Sequence, residues 1–378
     1  MIRFNLNDFS VSVDGKTITL LPKEFSLLQF LCENKKHSFP RAQLLDAVWG
    51  LENPGERTVD DHVYRIRRKL KEVSHIVQID TVRGLGYKLT LQESRRESPF
   101  LQDRELNAKY SELFNKYWLY GHGAAMGLLA ENRDVLGIRL DPQHALYLSF
   151  MAGDFHTVIN TAEVSFFEKV FYLLHIYRII QFDAAKTLQV VEKVMAQGYR
   201  LPQHHREELE FNLISINTEA GKIGEAEQKL RAAERAVALC KDDGYSLFLH
   251  IDKIMLSFVK GDMPSVERHL GDAEKLLATN PYLRESGMIK IAKGLWLIYL
   301  GRRTEGGLAV SEGLAVLKQS QFVPHYIFAV HIILLFLDRY VDDAAAQQKY
   351  TDLWVYLDRT YDFSQLTGEI YDALDGRF

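Results

Sequence analysis

At 378 residues the chain has room for two or three domains. Its 46 Lys+Arg against 50 Asp+Glu give a net charge of −4, split unevenly: residues 1–96 carry 16 against 12 and the remainder 30 against 38, so attraction to a polyanion is expected only in the first part. Two cysteines, Cys32 and Cys240, exclude a disulfide framework or a cysteine zinc site. No secretory leader is read at the N-terminus, and the most apolar run, Ile327 to Leu337, is too short for a bilayer and is interrupted by His331. The expectation is a cytoplasmic protein with no membrane contact.

The chain opens with short strands at Ile2–Phe4, Val11–Val13 and Thr17–Leu20, the last two joined by an Asp14-Gly15 turn. Pro22 to Leu31 reads as a helix with Pro22 at its first position and Phe25, Leu28 and Leu31 on one side. Arg41 to Trp49 reads as a second, short helix with Leu44, Leu45 and Val48 inward. From Arg57 to Leu70, Val59, Val63, Ile66 and Leu70 recur at i, i+4, i+7 and i+11, which makes one apolar stripe. Thr58 is the expected N-cap, with Asp61 three residues on completing an approximate capping box. Turning the stripe inward leaves Arg57, Asp61, Tyr64, Arg65 and Arg68 pointing outward, with His62 and Lys69 on the flank. Ile79 to Leu89 follows as a hairpin tipped by Gly84 and Gly86. A basic helix followed by a basic hairpin suits a winged helix. Arginines on a free helix face can bind guanine edges in the major groove of double-stranded DNA, and others neutralise phosphates.

The segments "LLPKEFSLLQFLCENKKHSFPRAQLLDAVWG", "RTVDDHVYRIRRKL" and "IDTVRGLGYKL" resemble the OmpR/PhoB-type winged-helix effector domain over residues 1–91. The resemblance implies that Thr58, His62, Arg65, Arg67 and Arg68 lie on or beside the recognition-helix surface. It implies that Trp49 and Arg57 lie near the phosphate backbone, and that Thr81 and Arg83 belong to a wing reaching the neighbouring minor groove. Asp61 departs from the small apolar residue the family often carries there; it either accepts from a cytosine amino group or caps the helix with Thr58. The family's receiver domain is not found ahead of the first strand, so phosphorylation control in cis is not expected.

Residues 92–101 are polar and aperiodic and read as a linker. Beyond them, residues 102–378 read as helices cut by turns forty residues apart: Gln181-Phe182-Asp183, Gly221-Lys222, Gly261-Asp262, Gly301-Arg302 and Val341-Asp342-Asp343. Gly121 and Gly153 open two less regular units. Such a period signals an α-solenoid of helical hairpins. The turns resemble those of tetratricopeptide repeats, with a longer period and a degraded signature. The layout is similar to that of antibiotic-pathway activators, and more weakly to the peptide-binding arrays of quorum-sensing receptors. The expected architecture is an α+β winged helix followed by an all-α tetratricopeptide-like superhelix. The resemblance places the first helix of each pair, at about 202–220, 244–260, 284–300 and 324–340, on a concave surface. These helices carry Asn212, Asn217, His250, Asp252, Lys253, Lys290, Lys293, Trp296, His325 and His331. Stacked amides and lysines can hold an extended peptide, a protein segment or a small ligand.

Catalysis is not expected. His204-His205 with Glu207 and Glu208 lacks the i, i+4 histidine pair of a zincin, and Gly84 and Gly86 are too few for a phosphate loop. No cofactor or metal is called for. The reading is a transcription regulator, expected as a homodimer, with RNA polymerase a possible further partner. Its rival is a DNA-bound scaffold that recruits a protein through the repeats and senses no ligand.

Overall fold

The computed structural model describes residues 2–6, 8–13, 16–34, 37–50, 55–74, 76–82, 85–91, 103–138, 140–280 except 241–242, and 282–377. Arg83, Gly84, the Asp14-Gly15 turn and the expected linker lie outside the described residues. The chain forms two compact units, Met1–Ser98 and Pro99–Phe378.

In the first unit, β1 (Ile2–Asn5), β2 (Ser10–Val13) and β3 (Lys16–Thr19) form an antiparallel meander in which Val11 pairs with both Phe4 and Ile18. Then come α1 (Pro22–Glu33), the short β4 (Ser38–Phe39), α2 (Arg41–Trp49), α3 (Arg57–Lys69), and the hairpin of β5 (Val77–Val82) and β6 (Gly86–Leu91). The second sheet has the order β4-β6-β5. Val59, Val63 and Ile66 of α3 are buried with Phe25, Leu28 and Leu31 of α1, Leu44 of α2, and Ile79 and Leu89 of the hairpin. The i, i+4, i+7 spacing that gave the stripe therefore also sets which face of α3 stays outside. The buried Glu24 accepts from the Leu21 backbone N–H at 2.9 Å and from Lys69 Nζ at 2.7 Å, while Lys69 also donates to the Thr19 carbonyl at 3.2 Å. A buried carboxylate persists because it is paired in this way, and the pairing fixes the C-terminal end of α3 to α1 and β3.

The second unit is helical throughout. After α4 (Arg104–Leu119), α5 (Gly123–Glu131), α6 (Arg133–Leu136), α7 (Pro142–Met151) and α8 (Phe155–Asn160), five hairpins follow. Their first helices are α9 (Phe166–Ile180), α11 (Gln203–Glu219), α13 (Asp243–Lys260), α15 (Leu283–Tyr299) and α17 (Val323–Tyr340). Their second helices are α10 (Ala184–Ala196), α12 (Ile223–Cys240), α14 (Met263–Thr279), α16 (Arg303–Ser320) and α18 (Ala344–Tyr361), and α19 (Phe363–Asp375) ends the unit. Gly221, Gly261 and Gly301 take φ of +75°, +72° and +82°, the left-handed backbone that favours glycine after a helix. Where the turn lacks glycine, Asp183 and Asp343 cap the next helix by accepting from Lys186 and Ala346 backbone N–H groups.

The expected superhelix with an exposed concave surface does not form as an open array. Each first helix packs on the next, and α17 packs back on α9, so the five close into a ring. At the seam His331 Nδ1 lies 3.0 Å from the Ile179 carbonyl, the Arg178 guanidinium stands 4.7 Å over the Phe328 ring, and Phe182 stacks on His331 at 4.2 Å. α19 packs on α8 and α9, and Lys193 pairs with Asp375 at 2.7 Å. Phe258 of α13 meets Phe336 of α17 at 5.2 Å although those helices are not ring neighbours, so the bore is filled at that level. Among the described residues α17 alone is long and apolar enough for a membrane span, and half of it is buried inside this ring. A physical reason for closure is visible in α9, where nearly every residue from Lys169 to Ile180 is buried, which an open array cannot satisfy.

Candidate nucleic-acid interface

α3 begins two residues earlier than expected. Thr58 and Val59 backbone N–H groups donate to the Gly55 and Glu56 carbonyls, so Thr58 lies inside the helix and does not cap it. Its carbonyl instead lies 2.7 Å from His62 Nδ1. Asp61 is therefore no capping partner; it is exposed, with no side-chain partner among the described residues. Its neighbour Asp60, which sequence reasoning passed over, anchors the start of the helix. One Asp60 oxygen accepts from Tyr87 Oη of β6 at 2.6 Å and from Arg41 Nε of α2 at 2.7 Å. Burial works to raise this carboxyl, but the Tyr87 and Arg41 hydrogen bonds and the charges of Arg41 and Arg57 outweigh it and hold it below its ordinary value.

Two of the expected DNA-facing residues have other work. Trp49 is 6% exposed, with its ring edge-on to His62 at 5.0 Å and the Lys23 ammonium 5.9 Å from its face. It seats α3 on α2 and is not at the surface, as a phosphate neighbour must be; an indole of this size is held in the core by its area. Arg67 donates to the Ile79 carbonyl at 2.8 and 2.6 Å and to Thr81 Oγ1 at 2.9 Å, with its guanidinium 5.7 Å over Tyr87. It fixes the hairpin to the helix. Arg57, Tyr64, Arg65 and Arg68 remain exposed on the face opposite the buried stripe, and no described residue holds the three guanidinium groups. The surface thus offers three exposed guanidinium groups and an aromatic ring on one helix, with a hairpin alongside.

Residues 15–89 match the family model described as transcriptional regulatory protein, C terminal. The N-terminal unit is an OmpR/PhoB-type winged-helix DNA-binding domain. The chain is 44% identical over 80 residues to the heme response regulator HssR of Staphylococcus haemolyticus, which is 21% of this chain and 36% of that protein. It is 46% identical over 90 residues to the sensory transduction protein RegX3 of Mycobacterium tuberculosis, 23% of this chain and 40% of that one. It therefore spans well under half the length of these curated relatives. Among solved structures, the DNA-binding domain of Bacillus subtilis CssR is 35% identical and covers 24% of this chain and all of that one, with a TM-score of 0.21. The DNA-binding domain of the response regulator AdeR, solved in complex with an intercistronic region, is 28% identical and covers 24% and 94%, with a TM-score of 0.22.

The winged helix makes a separable forecast for Arg67. Arg67→Met should cost the domain about 1–3 kcal/mol, since the Ile79 carbonyl loses its charged donor, while leaving the salt dependence of DNA binding unchanged. A salt slope flattened by roughly one unit would show instead that Arg67 meets a phosphate. Urea unfolding and binding at several salt concentrations measure both.

The helical unit does not display the surface expected of it. Asn212 and Asp252, at the same repeat position, are both buried, and Asn217 turns its Nδ2 onto the Leu213 carbonyl at 2.7 Å. The lysines are paired between first and second helices: Lys253 with Glu234 at 2.7 Å, Lys290 with Glu312 at 3.1 Å, and Lys293 with Glu274 at 2.6 Å. Asn212 and Asp252 are covered because their helices pack against neighbouring first helices around the ring. His250 is half-buried beside His269 at 5.7 Å, and burial pulls its pKa down to about 4. Among the described residues no three His, Cys, Asp or Glu side chains come together as a metal site.

Proposed function

We propose that this protein regulates transcription by binding specific sites in double-stranded DNA, with α3 in the major groove and the β5–β6 hairpin, including Thr81 and Arg83, against the adjoining backbone or minor groove. The observation that carries the reading is the free face of α3: Arg57, Arg65 and Arg68 stand exposed while Val59, Val63 and Ile66 are buried. Side chains on the free face of a recognition helix divide between base edges, which specify, and phosphates, which position. His62 and Asp61 flank that row and contribute to site choice; the activity is binding, with no catalytic step. A winged helix of this size covers one half-site, so the working form on DNA is a dimer. The acidic helical unit is the part that pairs protomers and answers an effector, and RNA polymerase is a further partner of the DNA-bound form. A cytoplasmic location follows from this role.

The test is Arg65→Ala in the full chain, with binding measured on a selected site and on a random duplex. The selected site should lose roughly 1–3 kcal/mol and the random duplex much less. Equal losses on both would assign Arg65 to phosphate, and no loss on either would remove α3 from the interface.

A further inference from the structure

A cavity of about 240 Å³ opens between α12, α13 and α14. Each helix lines it with one face. Lys253, Ser257 and Lys260 recur at i, i+4 and i+7 of α13, between Glu227 and Arg231 of α12 on one side and Asp262 and His269, at the start of α14 and within it, on the other. Three cations thus meet two carboxylates, in a part of the chain (residues 97–378) that holds 30 basic against 38 acidic residues. The cations keep donors in reserve. Lys260 Nζ lies 2.6 Å from Glu227, and Arg231, whose side chain is 60% exposed, lies 3.6 Å from the same carboxylate. Lys253 pairs with Glu234 at 2.7 Å. An ammonium carries three N–H donors and a guanidinium five, so one carboxylate leaves each with donors to spare. Ser257 is 8% exposed, and no described residue hydrogen-bonds its hydroxyl. The second carboxylate, Asp262, is occupied in capping α14: it accepts from the Ser265 backbone N–H at 3.2 Å and from Ser265 Oγ at 2.6 Å.

We propose that this cavity binds a phosphate dianion, free or as a small monoester, shared by Arg231, Lys253 and Lys260. Three cations beside a hydroxyl suit a doubly charged group better than a carboxylate, and phosphate oxygens accept from ammonium, guanidinium and hydroxyl donors together. The volume lies below the roughly 300–1,000 Å³ of pockets for drug-sized ligands, which limits any organic part to a few carbons. This deepens the reading of the helical unit as the responsive part and rests on it only for the consequence; binding itself is measured without DNA.

His269 is the natural reporter. Around its imidazole stand Lys253 of α13 and Arg268 of α14, opposed by Asp272 of α14 and Glu234 of α12, with the His250 ring of α13 at 5.7 Å. Burial, then the Lys253 and Arg268 charges, hold it below its ordinary value against the pull of Asp272 and Glu234. A dianion beside Lys253 shifts that balance, so the ring takes up a proton more readily when the cavity is filled. The arginines of α3 also attract phosphate, but they belong to the other unit, and a phosphate held there leaves His269 unmoved.

The experiment titrates the full chain with inorganic phosphate and with glycerol 3-phosphate, using glycerol and sodium chloride at matched ionic strength as controls. It follows the His269 ring resonance, assigned by its loss in His269→Gln. At least one phosphate should shift that resonance saturably and raise its titration midpoint by roughly one pH unit, and the controls should not. The tighter of the two probes tells the free anion from the ester. Arg231→Gln and Lys253→Gln should each weaken binding by roughly tenfold; Arg231 is largely exposed, so its variant decides if Lys253→Gln fails to fold. No saturable shift with either phosphate, an equal shift with chloride or glycerol, or undiminished binding in Arg231→Gln overturns the proposal. Intact DNA binding alongside that failure leaves the regulatory reading standing, and phosphate binding by a chain that ignores DNA removes that reading and not this one.

Discussion

Gly306→Ala should destabilise the helical unit by about 2–3 kcal/mol, while Gly307→Ala, one residue on, should stabilise it by about 0.5–1 kcal/mol. A Cβ at Gly306 would stand 2.5 Å from the Gly294 carbonyl oxygen and 2.8 Å from the Ile298 nitrogen, both backbone atoms that cannot step aside. Gly294 is the reciprocal case, with its Cβ 2.7 Å from the Gly306 oxygen and the Val310 nitrogen, and the Gly287–Gly313 crossing repeats the pattern one heptad along. α15 and α16 thus touch backbone to backbone at two levels. Around Gly307 nothing lies within 4 Å, so alanine there gains helix propensity and meets no clash. Thermal and urea unfolding of the two variants, with DNA binding as the check that the winged helix is untouched, gives the comparison. Equal effects of the two substitutions would disprove the close crossing.

Asp252→Asn should raise the stability of the helical unit at pH 8–9 by several kcal/mol and change little near pH 4. The buried cluster holds one cation and two carboxylates. Arg178 pairs with Glu219 at 2.8 Å and donates to Ser215 Oγ at 2.9 Å, while Asp252, 2% exposed, has an Oδ2 without a partner. Burial, with the Glu219 charge adding to it, pushes the Asp252 carboxyl up to about 8 against the pull of Arg178 and the Ser215 hydroxyl. A folded-state value above the ordinary one favours the protonated fold. The contribution is complete below the ordinary carboxylate range and is lost as pH rises through about 8, at about 1.4 kcal/mol per pH unit. Asparagine keeps the shape and cannot ionise. The histidines act in the opposite sense: burial lowers His175 to about 3 and His205 to about 4, so their contribution is lost as pH falls below the ordinary imidazole range. The difference between variant and parent across pH isolates the aspartate; a flat difference would mean that Asp252 reaches water.

The winged helix was legible because its determinants are local. The α3 stripe, the Pro22 start of α1 and the hairpin all lie within short spans whose periodicity states what faces inward. The hairpin boundaries of the helical unit were legible for the same reason, since Gly221, Gly261 and Gly301 mark left-handed turns. What failed was what depends on distant partners. Periodicity says that α9 has several apolar faces but not that α17 covers one of them, and without that knowledge Asn212 and Asp252 were assigned to an open surface. Thr58 was read as a cap because the Gly55-Glu56 turn, which extends the helix backward, carries no side-chain signature. The Asp60–Arg41–Tyr87 anchor joins three elements, and only the excess of an acid in an otherwise basic helix pointed to it.

Closure of the ring also bears on how the protein is made. The winged helix draws its core from Val11 to Leu89 and can fold as soon as that stretch leaves the ribosome. The helical unit is completed only by Ile370 and Leu374, whose helix packs against α8 and α9, segments synthesised long before. A message cut short between Leu89 and α19 therefore yields a product with a finished DNA-binding end and an unfinished remainder. Such a fragment keeps the DNA-binding fold without a completed helical unit, unlike a product that ends before Leu89, which has neither.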